Sequence, residues 1–377
     1  MKRALCGIAV GIAVAGAAAA EQLRALPWDA SEGAWHVRGV SAAGVEIDSG
    51  GGVWLVGWHR VRTLEGHATP ETLAWLEGGR AAWRAVTRLE RGDAFGAEPL
   101  FEAAMESLRG ARGPSMAAIA EGLMRCRMRR GARAAALDAY FDLYETLLSA
   151  PSRDPRWGVG AESLDAKTLL VPALPPLWFD DEAARAFADR AAGPMPEGDE
   201  SAVQAWALRV LYRAAAQHAV GDPIDADATA RAAGIAARRA GAAFVADLVL
   251  AQAGGVEART AARRALDAET VPGAEGWRSV WARVAIGRSL LREDGEPERR
   301  QGVLVLASVH ALDAEVSPYL TGLALADAAV GCESLGDRSA ARVFADELRK
   351  EYPGHPVLGW PAVGALWGPG PGRMGLP

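Results

Sequence analysis

The chain has 377 residues, half of them hydrophobic and 23% charged, with a formal net charge of −6. That composition suffices for one large core or two smaller ones and excludes an intrinsically disordered chain. An acidic balance with no block of basic residues beyond the N-terminus argues against a nucleic-acid partner.

Taken from the start, MKRALCGIAVGIAVAGAAAAEQ reads as an export signal. Lys2 and Arg3 supply the positive end, Ala4 to Ala17 the mildly apolar core, and Ala18-Ala19-Ala20 the small residues a signal peptidase accepts. Residues 1–20 are thus expected to be removed after Ala20, leaving a periplasmic or secreted protein. The segment is short and poor in large apolar residues for a membrane span, and no later stretch is long and apolar enough to be one. Cleavage would leave Cys126 and Cys332, too far apart in sequence for a disulfide framework or a zinc site. Both are expected as small buried apolar residues, and an oxidised pair stays open. Asparagine is absent, which removes any Asn-linked glycosylation site.

Residues 21–66 change character. AWHVRGV, GVEI and VWLVGWHRV are short β-leaning runs separated by the turn-forming SAAG and DSGGG. Trp28, Trp35, Trp54 and Trp58 crowd this piece, and the pairs Trp35-His36 and Trp58-His59 invite a carbohydrate or metal reading. Two lone histidines do not make a metal shell. The tryptophans are therefore expected to be core, or to bury against the next domain, with the histidines in solvent. So few short strands are marginal alone, so this element should pack onto its neighbour.

From Thr69 the pattern is helical. Thr69-Pro70-Glu71 offers a capping hydroxyl, a proline at the first helical position and an acid. Further helices are predicted at about 94–110, 115–130, 133–149, 180–192, 199–219, 226–240, 242–253, 256–268, 275–292, 298–312, 317–334 and 338–352. Short connections rich in Gly, Asp and Pro join most of them. Residues 151–179 are the exception, an irregular insertion with several prolines and with Trp157 and Trp178. The chain ends in a Gly/Pro tail from residue 368.

Self-similarity appears when glycines are taken as origins. Gly92 is followed by Ala97, Phe101 and Ala104; Gly131, at the same offsets, by Ala136, Tyr140 and Leu143; Gly336 by Ala341, Ala345 and Leu348, then Pro353. A glycine closes the first helix of a hairpin where positive φ is cheap. A small alanine lets the second helix approach, and larger residues fill the space to the next hairpin. This pattern resembles the second half of the tetratricopeptide repeat. LGDRSAARVFADELRKEYPGHP carries it most clearly, and it is similar to repeats of exported bacterial envelope proteins. The first-helix Trp-x-x-Leu-Gly signature is missing, and Gly92 and Gly131 stand 39 residues apart, wider than the usual spacing. The resemblance implies a mainly α fold, an α-α superhelix (TPR-like solenoid) with a small N-terminal β element. Helical hairpins would fill 67–150, repeat-like helices 180–316, and a last repeat with its cap 317–367. In that frame Arg91-Gly92-Asp93 is a corner between helices, not an adhesive signal.

No P-loop, dinucleotide fingerprint, His-Glu-x-x-His or Gly-x-Ser-x-Gly occurs. No catalytic, cofactor-binding or metal-ligating residue is nominated, and no cofactor is expected. Acidic pairs such as Asp180-Asp181 sit where a helix begins and read as caps. In RCRMRRGAR, Arg125 and Arg129 share a helix face and are the candidate contacts for a partner's carboxylates. The expectation is a non-enzymatic interaction protein, a scaffold or adaptor in the cell envelope with a protein or peptide partner. The alternative is a carbohydrate-active enzyme of the α/α-toroid kind, with tryptophans against sugars and two opposed carboxyl groups.

Overall fold

The structure is a computed structural model that describes residues 23–29, 33–48, 52–66, 69–149, 164–271 and 276–367. Residues 1–20, read above as a leader, the first part of 151–179 and the tail from 368 lie outside the described residues. The chain is mainly helical, with a small N-terminal antiparallel sheet.

The sheet has five strands, β1 (Arg24–Pro27), β2 (Trp35–Ser41), β3 (Gly44–Asp48), β4 (Val53–Val56) and β5 (Val61–Glu65), in the order β4-β3-β2-β1-β5. Two points differ from the sequence reading. The run VWLVGWHRV divides into β4 and β5 around a single 3-10 turn, Trp58–Arg60. RALP, which carries no alternation, becomes β1 because it pairs with β2 on one side and β5 on the other. β2 and β3 form a hairpin that pairs Ser41 with Gly44, where φ is +156°.

The sheet is not free-standing. Trp58 is fully buried, its Nε1 donates to the Ser41 carbonyl at 2.9 Å, and its ring lies 5.8 Å from that of Trp75. A methyl group on Gly79 would meet the Trp58 carbonyl oxygen at 2.4 Å, so a helix passes directly against the 3-10 turn. Trp58 thus buries against the next element and Trp35 is buried, whereas Trp28 and Trp54 are half-buried. His36 is exposed as expected, but His59 is half-buried: its main-chain N–H donates to Ser115 Oγ at 3.2 Å, and its Nδ1 lies 3.1 Å from the same hydroxyl. Docking the 3-10 turn on the helices carries that histidine inward.

Fourteen α-helices come next among the described residues: α1 (Pro70–Glu90), α2 (Ala94–Ser107), α3 (Pro114–Arg129), α4 (Arg133–Ser149), α5 (Glu182–Ala188), α6 (Glu200–Val220), α7 (Ala226–Ala236), α8 (Ala240–Ala253), α9 (Val256–Asp267), α10 (Trp277–Leu291), α11 (Glu296–Asp313), α12 (Pro318–Ser334), α13 (Arg338–Glu351) and the short α14 (Pro361–Gly364). Local chemistry starts them. Thr69 caps α1, and Asp93, Asp181, Asp199, Asp225 and Asp337 cap α2, α5, α6, α7 and α13, each accepting from a first-turn N–H. Gly92, Gly131 and Gly336 sit between helices at φ +87°, +75° and +80°, so Arg91-Gly92-Asp93 is a corner.

The helices pack in sequence as hairpins. α6, α8, α10 and α12 each touch the next, and α7, α9 and α11 each seat between two members of this row. α4 extends the row beside α6, and α1, α2 and α3 pack on one another at the sheet end. The residues that repeat after each glycine fall in these contacts. Ala97, Phe101, Ala104, Ala136, Tyr140, Ala341, Ala345 and Leu348 are all buried, whereas Pro353 is exposed in the turn after α13. Cys126 and Cys332 are buried free thiols.

Candidate functional site

Two places hold more than packing. The first is a cleft of about 570 Å³ where the sheet meets α1 and α3. Its wall on the sheet side is Trp28 and Asp29, after β1, with His59 and Arg60 of the 3-10 turn; α1 adds Trp83 and Glu90, and α3 adds Glu121 and Arg125. The Trp28 and Trp83 rings stack at 3.9 Å and 8°. The Trp28 main-chain N–H donates to the Arg60 carbonyl at 3.1 Å, which fixes the stack to the 3-10 turn. Glu121 is only 3% exposed, and Arg125 Nη1 lies 3.7 Å from its Oε1. Gly122, beside it on α3, leaves room for the Phe101 ring, which would stand 2.1 Å from an added methyl. The cleft is therefore a mixed polar wall with a tryptophan pair, able to hydrogen-bond and stack at once.

Arg125, nominated from the sequence, lines this cleft; Arg129, one turn on, is exposed. Their neighbours behave differently. Arg127 and Arg130 both reach Glu98 of α2, at 3.3 and 2.8 Å, and Arg127 also reaches Glu102 at 3.1 Å. Hydrogen bonding from Arg130 helps hold the Glu98 carboxyl below its ordinary range. Of the run's five arginines, Arg127 and Arg130 tie α3 to α2, Arg133 reaches the Pro175 carbonyl, and Arg125 and Arg129 do neither. The cleft's other members, Trp28, Trp83 and Glu121, had no signal beyond residue type, because sheet docking brings them together.

The second place is residues 164–179, which run across the helix row without regular secondary structure. Leu170, Val171, Leu174, Leu177, Trp178 and Phe179 are at most 2% exposed. Their carbonyls, and those of neighbouring prolines, are met by donors from the row. Tyr140 of α4 donates to Leu169 at 3.1 Å, Tyr212 of α6 to Leu174 at 2.8 Å, Trp281 of α10 to Pro172 at 3.3 Å, and Tyr319 of α12 to Leu177 at 3.3 Å. Arg133 donates to the Pro175 carbonyl while its guanidinium lies 4.6 and 4.2 Å from the Trp178 and Tyr319 rings. Gly241, at the start of α8, leaves space for the Thr168 carbonyl. Burial pushes the Tyr140, Tyr212 and Tyr319 phenols up, so all three remain protonated donors.

Elsewhere, Asp142 borders a cavity of about 240 Å³ with Arg190 and Arg209, and burial pushes its carboxyl up to about 6. Burial likewise pushes the Cys126 thiol up to about 11, which leaves it a poor nucleophile. Among the described residues, no three His, Cys, Asp or Glu side chains gather in a metal-binding group. No helix among them is long and apolar enough to cross a membrane. Comparison with protein-family profiles, curated proteins and solved structures returns no match.

Proposed function

We propose that this chain is a non-enzymatic helical-repeat protein that works outside the cytoplasm as a scaffold or adaptor, its hairpins forming a tetratricopeptide-like superhelix. The observation that supports this most is how the row holds residues 164–179. Side chains from α4, α6, α10 and α12 donate to the main-chain carbonyls of Leu169, Leu174, Pro172 and Leu177. Donors aimed at carbonyls grip an extended chain with little regard to its side chains, which is how peptide-binding surfaces obtain affinity. In this chain the row is already filled, so a partner docks at the open cleft, presenting a carboxylate to Arg125 and extending to the exposed Arg129 one turn on. The leader-like residues 1–20 support a place in the envelope.

Crosslinking in the native envelope tests the reading. The parent chain should capture a protein partner, and Arg125→Gln with Arg129→Gln should reduce the yield at least tenfold while helicity is unchanged. Equal capture by parent and charge-neutralised chains would remove the two arginines from the interface.

One observation favours the carbohydrate-active reading instead: Trp28 and Trp83 share a cleft with Asp29, Glu90 and Glu121. Incubation with cell-wall polysaccharide separates the two. New reducing ends that vanish in Glu121→Gln would replace the scaffold with an enzyme.

A further inference from the structure

Four arginines gather at one end of the helix row. His218 lies in the last turn of α6, Arg259 and Arg263 lie on α9, and Arg288 and Arg292 lie at the end of α10. Two carboxylates stand against them. Glu293 accepts from Arg263 and lies 3.5 Å from Arg259 Nη2, and Asp327 lies 3.1 Å from Arg288 Nε. The remaining contacts are neutral: Arg259 Nη1 donates to the Gly254 carbonyl at 3.3 Å, Arg263 Nη1 to Ser289 Oγ at 3.0 Å, and Arg288 Nη1 to Gln252 Oε1 at 3.0 Å.

Arg292 is left out of the ion pairing. Its one hydrogen bond among the described residues runs from Nη1 to His218 Nε2, at 3.1 Å. A guanidinium only donates, so this imidazole accepts at Nε2 and is neutral. A second donor is unused: Arg259 is 8% exposed, and its Nε is buried with no acceptor. Four guanidiniums against the two carboxylates paired with them leave an excess of about two positive charges, with a spare fork on Arg292 and an unsatisfied buried N–H on Arg259.

We infer that this end of the array, at Arg292, Arg259 and His218, is a binding site for a phosphate group. A phosphate carries close to two negative charges at neutral pH and three acceptor oxygens, which matches the excess charge and the donors from two helices. A single carboxylate would neutralise half of that excess and offer fewer lone pairs. The electrostatics agree: partial burial holds Arg292 below its ordinary value, with Arg259 and Arg288 adding to the effect and Glu293 opposing it. An anion seated there removes that repulsion. The phosphate can arrive free in solution or on an anionic lipid headgroup, and the same three side chains would meet either.

Line broadening of inorganic phosphate in phosphorus NMR, at fixed ionic strength set with chloride, reads the free form. Cosedimentation with phosphatidylcholine vesicles, with and without phosphatidylglycerol, reads the lipid form. The full chain should bind in at least one arm. Arg292→Ala should weaken that binding at least tenfold, and Arg292→Lys, which keeps charge but loses the fork, should fall between. Arg292 is exposed, so the variant keeps its fold, and unchanged circular dichroism confirms it. Phosphate alone binding identifies a soluble ligand; vesicles alone binding identifies a headgroup. No binding in either arm, or binding indifferent to Arg292→Ala, overturns the site.

Discussion

Close approach at single glycines decides how this chain packs. Gly122 is the sharpest case, because the Phe101 ring of α2 occupies the space a side chain would need on α3. Phe101 is itself fully buried and has nowhere to turn. Gly122→Ala should therefore destabilise by about 2 kcal/mol despite alanine's better helix propensity, the cost of overpacking a filled core. Gly122→Ala with Phe101→Leu should recover part of that loss, and urea midpoints of the two single variants and the double variant measure it. Gly92 is needed for a different reason: nothing crowds it, but its φ of +87° suits only glycine without strain.

Among the elements, the least regular one is embedded as deeply as a core helix. Residues 164–179 form neither helix nor strand, so their carbonyls lack the partners that secondary structure supplies. Tyr140, Tyr212, Trp281 and Tyr319 supply those partners from four different helices. Tyr212→Phe keeps the ring and leaves the Leu174 carbonyl unsatisfied in the interior. It should cost about 1–3 kcal/mol, read as a shift in urea midpoint. The segment thus behaves as part of the core, and removing it would uncover the row it fills.

For the molecule as a whole, two perturbed groups set opposing pH responses. The His218 imidazole is held at about 4, below its usual 6.5, by burial and by Arg292, Arg288 and Arg259. Below pH 6.5 the unfolded chain then takes up a proton that the folded chain refuses, so stability falls as pH drops from 6.5 towards 4. Asp142 acts in the other direction. Its folded-state value of about 6, against an ordinary 3.8, means that stability falls as pH rises through that interval. His218→Gln should lose less stability than the parent between pH 6.5 and 4. Asp142→Asn should exceed the parent at pH 8 by roughly 1 kcal/mol, a figure reduced because the side chain is 45% exposed, and the gain should be gone near pH 4. Urea unfolding of all three chains across this range measures both effects.

Local chemistry made most of the helices legible. Thr69-Pro70-Glu71 predicted the start of α1, and the predicted span 133–149 is that of α4. The glycine corners at 92, 131 and 336 could be read because positive φ and a following buried alanine are demands of neighbours in the chain. RALP could not be recognised as a strand, since its partners, β2 and β5, are what make it one. The site was legible only in part. Arg125 could be nominated from charge and helical spacing, but Trp28, Trp83 and Glu121 meet it only after the sheet has docked on α1 and α3. The sequence by itself determined that these helices form and where most begin, because caps, turns and apolar period act over a few residues, although α5 and α7 end four residues short of their predicted limits. Only the tertiary structure decided what the proline-rich segment does and which arginines go unpaired, because those depend on donors and charges brought together from distant helices.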